Sequence, residues 1–195
     1  DQIDPNRYPN IGKYTLKSQL VQLKSIVGGI QALVTDARPL VEVLPSLLGS
    51  PKEKKYLVIF QNDKELRPTG GFITGYGIFR LEQGRAFPES ADDIYTLDGQ
   101  RTKQVPAPEL LRKYLPTVGG GVTTTWEMRD ANLSPDFKLS MMQFNDFYNQ
   151  IPGRQKIDGI ISVDTQFLVE VIKILGGVDV YGKKFTAETD QRCNC

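Results

Sequence analysis

Histidine does not occur anywhere in the 195 residues of this chain. Its absence excludes Ser-His-Asp and Cys-His catalysis by the chain's own side chains, and it excludes zinc sites that need an imidazole ligand. No well-spaced pair of acids for general acid–base catalysis takes its place. Hydrolytic triads and imidazole zinc centres are therefore ruled out as functions of this chain.

Cysteine is almost as scarce, because only Cys193 and Cys195 occur and both lie at the C-terminal end. Two thiolates cannot complete a four-ligand metal site, and cysteines separated by one residue seldom bridge each other. The pair is typical of a frayed tail. The alternative is pairing with a partner outside this chain, in an oxidising compartment.

The chain also lacks an excess of charge and a long apolar run. Its formal net charge is +1, with acids and bases interspersed, so no basic surface for nucleic acid is expected. The most apolar N-terminal region, residues 16–48, is interrupted by charged residues and cannot cross a bilayer. No signal peptide is visible. We expect a piece of a longer protein, with residues 186–195 as the tail of a truncated fragment.

The N-terminal 50 residues predict an arm followed by a helical hairpin. After a polar, proline-bearing arm, apolar residues recur at spacings of three and four: Leu16, Leu20, Leu23, Val27, Ile30 and Val34. Arg38-Pro39 is expected to end or kink this helix, and a second short helix should stop at Gly49. The hairpin would pack on the following domain or form a stalk leading up from a membrane.

Residues 56–85 form the centre of the predicted fold. Residues 56–60 are all apolar or aromatic, which predicts a strand buried on both faces. A polar connection leads to a second strand, residues 72–81, and the turn at residues 82–84 sends the chain back. Gly75 and Gly77 share one face of the second strand, where another backbone or a ligand could approach closely.

The remainder predicts an α/β domain over residues 51–185, layered as α-β-α around a mixed sheet. Residues 86–104 are expected to be loop, residues 108–115 a short helix and residues 122–128 a strand. Ser134 should cap a helix whose apolar stripe is core. A strand at residues 157–163, a helix capped by Asp164 with a buried face, and a strand at residues 178–181 predict a parallel crossover.

Two arginines stand at the ends of predicted strands, each beside an acid: Arg67 with Glu65, and Arg129 with Asp130. Each pair could be a salt bridge that locks a loop to a strand. If the two arginines converge near the glycines Gly70 and Gly71, they would suit a phosphate or pyrophosphate, because the guanidinium fork matches those oxygens. Trp126, the only tryptophan, is interpreted as structural.

Clustered carboxylates offer a second candidate site, for a hard cation such as Mg²⁺. Asp92 and Asp93 are adjacent, and Asp98 follows them closely. Carboxylate oxygens are suitable ligands for such ions. The alternative is that these acids are simply solvated at the surface.

Three motifs in the same order resemble a bacterial family. They are YLVIFQNDKELRPTGGFITGYG, WEMRDANLSPDF and IDGIISVDTQFLVEVIKILGGVDVYG. They are similar to successive motifs of the domain-of-unknown-function family 4012. The resemblance implies an extracytoplasmic protein at the cell surface, anchored in the cytoplasmic membrane by a helix outside this chain.

More remotely, the same order resembles the LytR-CpsA-Psr family, which moves glycans from polyprenyl pyrophosphate carriers onto cell-wall polymers. That resemblance places Arg67 near the family's first pyrophosphate-binding arginine and Asn132 at an asparagine of a later motif. The chain departs from it where Thr69-Gly70-Gly71 replaces an aspartate and where Asp92-Asp93 replaces an Arg-Asp pair. These losses would weaken phosphoryl transfer, which depends on charge stabilisation and positioning.

Three functions follow as hypotheses. The first is an envelope domain that binds, and in an active form transfers, a polyprenyl-(pyro)phosphate-linked glycan or another anionic lipid. The second is a non-catalytic surface scaffold or interaction domain. A long apolar tunnel beside Arg67 would favour the first. The third, a nucleotide enzyme, is disfavoured because the glycines do not match G-x-G-x-x-G and a strand follows them.

Overall fold

The computed structural model describes residues 4–8, 16–117 and 119–188. It contains the helices α1 (Leu16–Leu47), α2 (Ile94–Asp98), α3 (Glu109–Tyr114), α4 (Phe137–Tyr148) and α5 (Thr165–Leu175). The strands are β1 (Lys54–Asn62), β2 (Phe72–Glu82), β3 (Arg85–Asp93), β4 (Gly159–Asp164), β5 (Val178–Val180) and β6 (Lys183–Phe185). Short 3₁₀ helices occur at Pro5–Arg7, Pro68–Gly70 and Met128–Asp130. Cys193 and Cys195 lie outside the described residues.

The main sheet has four strands in the order β3-β2-β1-β4. The connection at residues 63–71 and the tight turn after β2 make β1, β2 and β3 antiparallel neighbours, whereas β4 pairs with β1 in parallel. Parallel pairing needs a long crossover, and the segment that carries α2, α3 and α4 supplies it. The predicted α/β class with a mixed central sheet is confirmed.

The hydrophobic core lies between one face of this sheet and α4. Alternate residues of β1, Leu57 and Ile59, are fully buried and meet the apolar stripe of α4. The stripe was predicted as core, and its members from Met141 onward are buried, whereas Phe137 at the helix start is 43% exposed. Val58 and Phe60, on the other face of β1, are only half-buried, so the strand is not covered equally on both faces.

The predicted N-terminal hairpin is instead one continuous helix, α1, with Pro39 and Pro45 inside it. A proline in a helix removes one hydrogen bond to the carbonyl four residues earlier, but the turns on either side can persist. An ion pair of 2.7 Å between Arg38 and Glu42 spans Pro39. No residue of α1 is buried, so the alternative that this segment packs on the domain is wrong, while the alternative of a stalk leading up from a membrane stays a prediction.

The predicted loop at residues 86–104 contains β3 and α2. Every residue of β3 is exposed, so this edge strand carries no alternation of buried and exposed positions that a sequence could reveal. Conversely, residues 122–128 join no sheet and make only an isolated bridge, between Thr125 and Pro106. The threonines there have high β propensity, but no strand lies beside them to complete a ladder. The cap of α4 is Asp136 rather than Ser134.

The C-terminal part matches the predicted caps but not the predicted packing. Asp164 caps α5 by accepting a hydrogen bond from Phe167 N–H at 2.8 Å, and Gly176 ends the helix in the left-handed conformation. However, α5 buries none of its residues, and β5 pairs with β6 in a separate antiparallel ribbon. Tyr181 and Gly182, with φ of 49° and 76°, form the two-residue turn between them. No parallel crossover therefore follows β4.

Candidate functional site

Two buried side-chain amides, those of Asn132 and Gln61, fix the loop that joins β1 to β2. Asn132 Nδ2 donates to the carbonyls of Pro68 and Gly71, at 2.7 and 2.9 Å, and Gln61 Nε2 donates to the carbonyl of Gly71 at 2.8 Å. Gly71 has φ of 132°, and a Cβ there would lie 2.1 Å from the Asn62 carbonyl oxygen. Asn132 is fully buried. The predicted phosphate contacts Gly71 and Asn132 thus hold the loop in place.

The structure brings Arg67 and Arg129 together at Asp130. Arg67 Nη2 lies 3.8 Å from Asp130 Oδ1, and Arg129 Nε lies 3.7 Å from Asp130 Oδ2. The side chain of Asp130 is 3% exposed, while those of Arg67 and Arg129 are 27% and 29% exposed. Glu65, the neighbour expected to pair with Arg67, is exposed on the loop. Both arginines therefore share one buried carboxylate and reach solvent from it.

Trp126 fixes the backbone that carries Asp130. Its indole N–H donates to the Asp130 carbonyl at 2.9 Å, and its ring meets Phe147 of α4 edge-on with centroids 5.4 Å apart. Because the half-buried indole finds both a hydrogen-bond acceptor and an aromatic neighbour, it anchors the 3₁₀ helix Met128–Asp130 to the core. A structural role for Trp126 stays a prediction.

A second charge cluster, which sequence reasoning did not assemble, lies beside the first. Asp98 accepts a hydrogen bond from Met128 N–H at 2.6 Å and lies 3.3 Å from Arg129 Nη1 and 3.6 Å from Arg101 Nε. Arg101 donates to Glu127 at 2.5 Å, and its guanidinium lies 4.6 Å from the Phe147 ring centroid. Arg101 is 3% exposed. It stands in a polar stretch without apolar periodicity, so the sequence carries no signal for this buried arginine.

Burial changes the acidity of both buried aspartates. Desolvation raises the pKa of Asp98 from 3.8 to about 6, against the opposing effects of the Met128 N–H and the two arginines. Desolvation likewise raises the pKa of Asp130, although Arg129 and Arg67 oppose it. Removing a carboxylate from water disfavours its charged form, and the neighbouring guanidiniums only partly compensate. Perturbed pKa values of this kind cluster at functional sites as well as in structural networks.

Arg67, Arg129 and Asp130 line one cavity of about 400 Å³. Phe72 and Tyr95 contribute aromatic walls, and the guanidiniums of Arg67 and Arg129 lie 5.7 and 5.0 Å from their ring centroids. The threonines at residues 123–125 line the same cavity. A neighbouring cavity of about 300 Å³ shares Arg129, Tyr95 and Glu127 with it and adds Arg101 and Lys103. The arrangement can present cationic forks and hydroxyl groups to one anionic ligand.

Asp92 and Asp93 lie elsewhere, at the end of β3. Asp93 caps α2 by accepting a hydrogen bond from Thr96 N–H at 2.7 Å, and Asp92 accepts one from Asp93 N–H at 2.8 Å. Within the described residues, no group of three or more acids and cysteines is placed to hold a metal ion. The structure therefore gives Asp93 a local capping role, and a magnesium site at this pair stays a prediction.

The face shared by Gly75 and Gly77 is filled by the protein itself. A Cβ at Gly77 would lie 2.8 Å from a ring carbon of Phe79 and 3.5 Å from a ring carbon of Phe60. A Cβ at Gly75 would lie 3.0 Å from the Asp92 carbonyl oxygen of the adjacent strand. Missing side chains thus allow close packing of aromatic rings and of β3 against β2.

Comparison with known protein families gives the family of this chain. A family model described as "Protein of unknown function (DUF4012)" matches residues 52–191, well over half of the sequence. This chain belongs to the DUF4012 family. The match confirms the resemblance carried by the three motifs and includes β1 to β6 of the DUF4012 domain. No curated protein and no solved structure matches the chain. Among the described residues, no helix is long and apolar enough to span a bilayer.

Proposed function

We propose that this DUF4012 domain is an extracytoplasmic envelope domain that binds a polyprenyl-(pyro)phosphate-linked glycan by its phosphate. The convergence of Arg67 and Arg129 in one cavity carries the proposal. Two guanidiniums that line one groove match the oxygens of a phosphate or diphosphate, and arginine offers paired donors for them. The remote likeness to the LytR-CpsA-Psr family, in which glycans are carried on polyprenyl pyrophosphate, supports the same ligand class.

The guanidinium donors of Arg67 are open to such a ligand. Among the described residues, Arg67 donates no hydrogen bond, and its one ion pair, to Asp130, spans 3.8 Å. A charge-assisted N–H···O bond is about 2.7–2.9 Å long, so Asp130 attracts the arginine without occupying its fork. Asp130 thus holds two cations side by side, where mutual repulsion would otherwise separate them. A phosphate that enters the cavity can therefore bind both guanidiniums at once.

The cavity fits the polar end of a lipid carrier. Its volume of about 400 Å³ and its threonine hydroxyls suit a diphosphate with the first part of a sugar. The cavity beside Arg67 is a groove of mixed character, not the long apolar tunnel that a buried polyprenyl chain would need. The prenyl chain would therefore remain outside this groove, in keeping with an extracytoplasmic domain held near the membrane by a segment outside this chain.

Binding is the better supported half of this proposal. Phosphoryl transfer relies on metal ions or arginines that neutralise charge in the transition state and on a group that orients the nucleophile. Asp98, with its pKa raised to about 6, has the acidity of a general base, but its carboxylate is bonded to Met128 N–H and faces two arginines. We propose a binding domain first, with transfer as a further step to be assayed once binding is measured.

The test is calorimetric titration with three probes: inorganic pyrophosphate, farnesyl pyrophosphate and farnesol. We expect both pyrophosphates to bind, farnesol not to bind, and the Arg67→Ala/Arg129→Ala variant to weaken pyrophosphate binding by at least roughly tenfold. Arg154→Ala is the matched control, because Arg154 is exposed and only donates to the Asn149 side chain. Equal pyrophosphate affinity in the double variant and the parent chain would overturn the proposal.

The second candidate function is a non-catalytic interaction domain. The observation that favours it is that arginines pair with both buried aspartates of the site and with the half-buried Glu127: Arg101 with Asp98 and Glu127, and Arg67 and Arg129 with Asp130. Such a network can serve the fold alone. If no pyrophosphate probe binds, and Arg67→Ala/Arg129→Ala lowers the melting temperature instead, this reading replaces the first.

A further inference from the structure

The apolar side chains of α1 follow a strict seven-residue repeat along the whole helix. Taking Leu16 as position d, the series alternates steps of four and three without interruption: Leu16, Leu20, Leu23, Val27, Ile30, Val34, Ala37, Val41, Leu44 and Leu48. The helix has 32 residues and is therefore about 48 Å long. A repeat of 3.5 residues sustained over four heptads indicates a coiled-coil seam rather than one side of a globular helix.

Residues that disfavour a helix lie off this seam. Gly28 and Gly29 take positions b and c, Pro39 takes position f and Pro45 takes position e. Positions b, c and f face away from the partner in a coiled coil, so Gly28, Gly29 and Pro39 would not interrupt the contact, and Pro45 lies in the last turn of α1. Lysine or arginine takes position e in three heptads, Lys17, Lys24 and Arg38, along the flank of the seam.

Within residues 4–8, 16–117 and 119–188, nothing covers this seam over most of its length. Val34 and Val41 are 63% and 61% exposed, and Leu33, at the adjacent position g, is 69% exposed. The 3₁₀ helix Pro5–Arg7 borders only the first part, where Pro5, Leu20, Leu23 and Val27 line a cavity of about 500 Å³. The contacts of α1 with the α/β domain lie at its C-terminal end, for example from Tyr56 Oη–H to the Leu47 carbonyl at 2.9 Å.

We infer that α1 pairs with α1 of a second copy of this chain in a parallel two-stranded coiled coil. Position a carries valine in three successive heptads, at Val27, Val34 and Val41, and β-branched residues at a favour two parallel strands. The exposed leucines at g would lie against the aliphatic stems of the partner's basic residues at e. Burying the exposed halves of these side chains on both helices removes on the order of 1,000 Å², about what a specific interface requires. The inference does not rest on the phosphate site.

The test is sedimentation velocity on the whole chain over a concentration series from low to several hundred micromolar. We expect a dimer, and we expect Val34→Lys/Val41→Lys to raise its dissociation constant at least roughly tenfold, since lysine would enter the seam. Val21→Lys/Val43→Lys is the matched control, because these valines are 49% and 50% exposed at positions b and c. Since α1 buries no residue, neither variant should change the melting temperature of the α/β domain at concentrations where both are monomeric.

Orientation is tested by crosslinking in a Cys193→Ser/Cys195→Ser background. Ala37→Cys, at position d, should form an intermolecular disulfide on mild oxidation, because d faces d in a parallel pair. Ala32→Cys, at the outward position f, should not. A chain that is monomeric throughout the concentration series overturns the inference. So does a dimer that the seam and control variants weaken equally, or one in which Ala32→Cys crosslinks as well as Ala37→Cys.

Discussion

Helices α1 and α4 carry the same kind of apolar stripe and reach opposite environments. In α4 the stripe lies under the sheet, where Phe144 and Phe147 are fully buried. In α1 residues at the same spacing, Ile30 and Val34, are 56% and 63% exposed. The paired strands β1 and β4 lie before and after α4 in the chain, whereas the contacts that the structure describes between α1 and the domain lie at the C-terminal end of α1. A stripe thus predicts that a helix has an apolar face, but the connections of the helix decide what covers that face.

The largest expected effect comes from comparing two truncations. One removes an aromatic ring from α4, whose apolar stripe is buried, and the other removes a ring from α5, which buries no residue. Phe144→Ala should lower the free energy of unfolding by about 3–5 kcal/mol, because it leaves a cavity in the core. Phe167→Ala in α5 should cost less than about 1 kcal/mol, since Phe167 is already 53% exposed. Urea denaturation followed by tryptophan fluorescence measures both. Equal losses would mean that α5 is covered in solution.

Replacing a glycine compares the tightly packed loop of the site with the exposed helix α1. Gly71→Ala should cost on the order of 3 kcal/mol, because the new methyl group would meet the Asn62 carbonyl in a backbone conformation that alanine rarely adopts. Gly28→Ala in α1 should instead favour the helix by about 0.5–1 kcal/mol, since nothing lies within 4 Å of the added carbon. Thermal unfolding by circular dichroism distinguishes the two signs. A stable Gly71→Ala variant would contradict the tight loop described for the site.

The parts of the fold that the sequence predicts are those marked by a run or a stripe of apolar residues. The sequence identifies β1 by its continuous apolar run, β2 by its position between the polar connection and the turn at residues 82–84, and α4 by apolar residues that recur every three to four positions. It does not identify β3, an edge strand with no buried residue, nor the separation of β5 from the main sheet. The pattern of apolar residues describes a single helix or strand. Which strands pair with each other depends on the topology of the whole domain.

In the candidate site, too, some residues can be predicted from the sequence and others cannot. Arg67 and Arg129 could be chosen from sequence because each stands beside glycine or an acid after an expected strand. Their shared partner Asp130, and the burial of Arg101 against Phe147, depend on contacts between segments far apart in the chain. Asn132 was chosen by resemblance, but its amide holds the loop of Gly71, a role that only the folded geometry assigns.

The pH dependence of stability separates a buried from an exposed aspartate. Because the pKa of Asp98 is raised from 3.8 to about 6 in the folded state, the folded protein binds its proton more tightly than the unfolded chain does. The stabilisation that Asp98 contributes is therefore fully present below its unfolded-state pKa of 3.8. It is lost as the pH rises through the folded-state pKa of about 6, by roughly 3 kcal/mol at most. For Asp158 the sign is opposite, since Lys55 N–H, followed by the Lys54 ammonium, lowers its pKa.

Asp98→Asn isolates the contribution of Asp98, because asparagine can still accept the hydrogen bond from Met128 N–H but does not titrate. We expect the unfolding free energy of the parent chain, relative to that of the variant, to fall between about pH 4 and about pH 7. The carboxyl carbon of Asp98 should titrate near pH 6 in a ¹³C NMR experiment. A difference between the two chains that stays constant with pH would show that Arg101 and Arg129 stabilise the ionised carboxylate enough to cancel the cost of its burial.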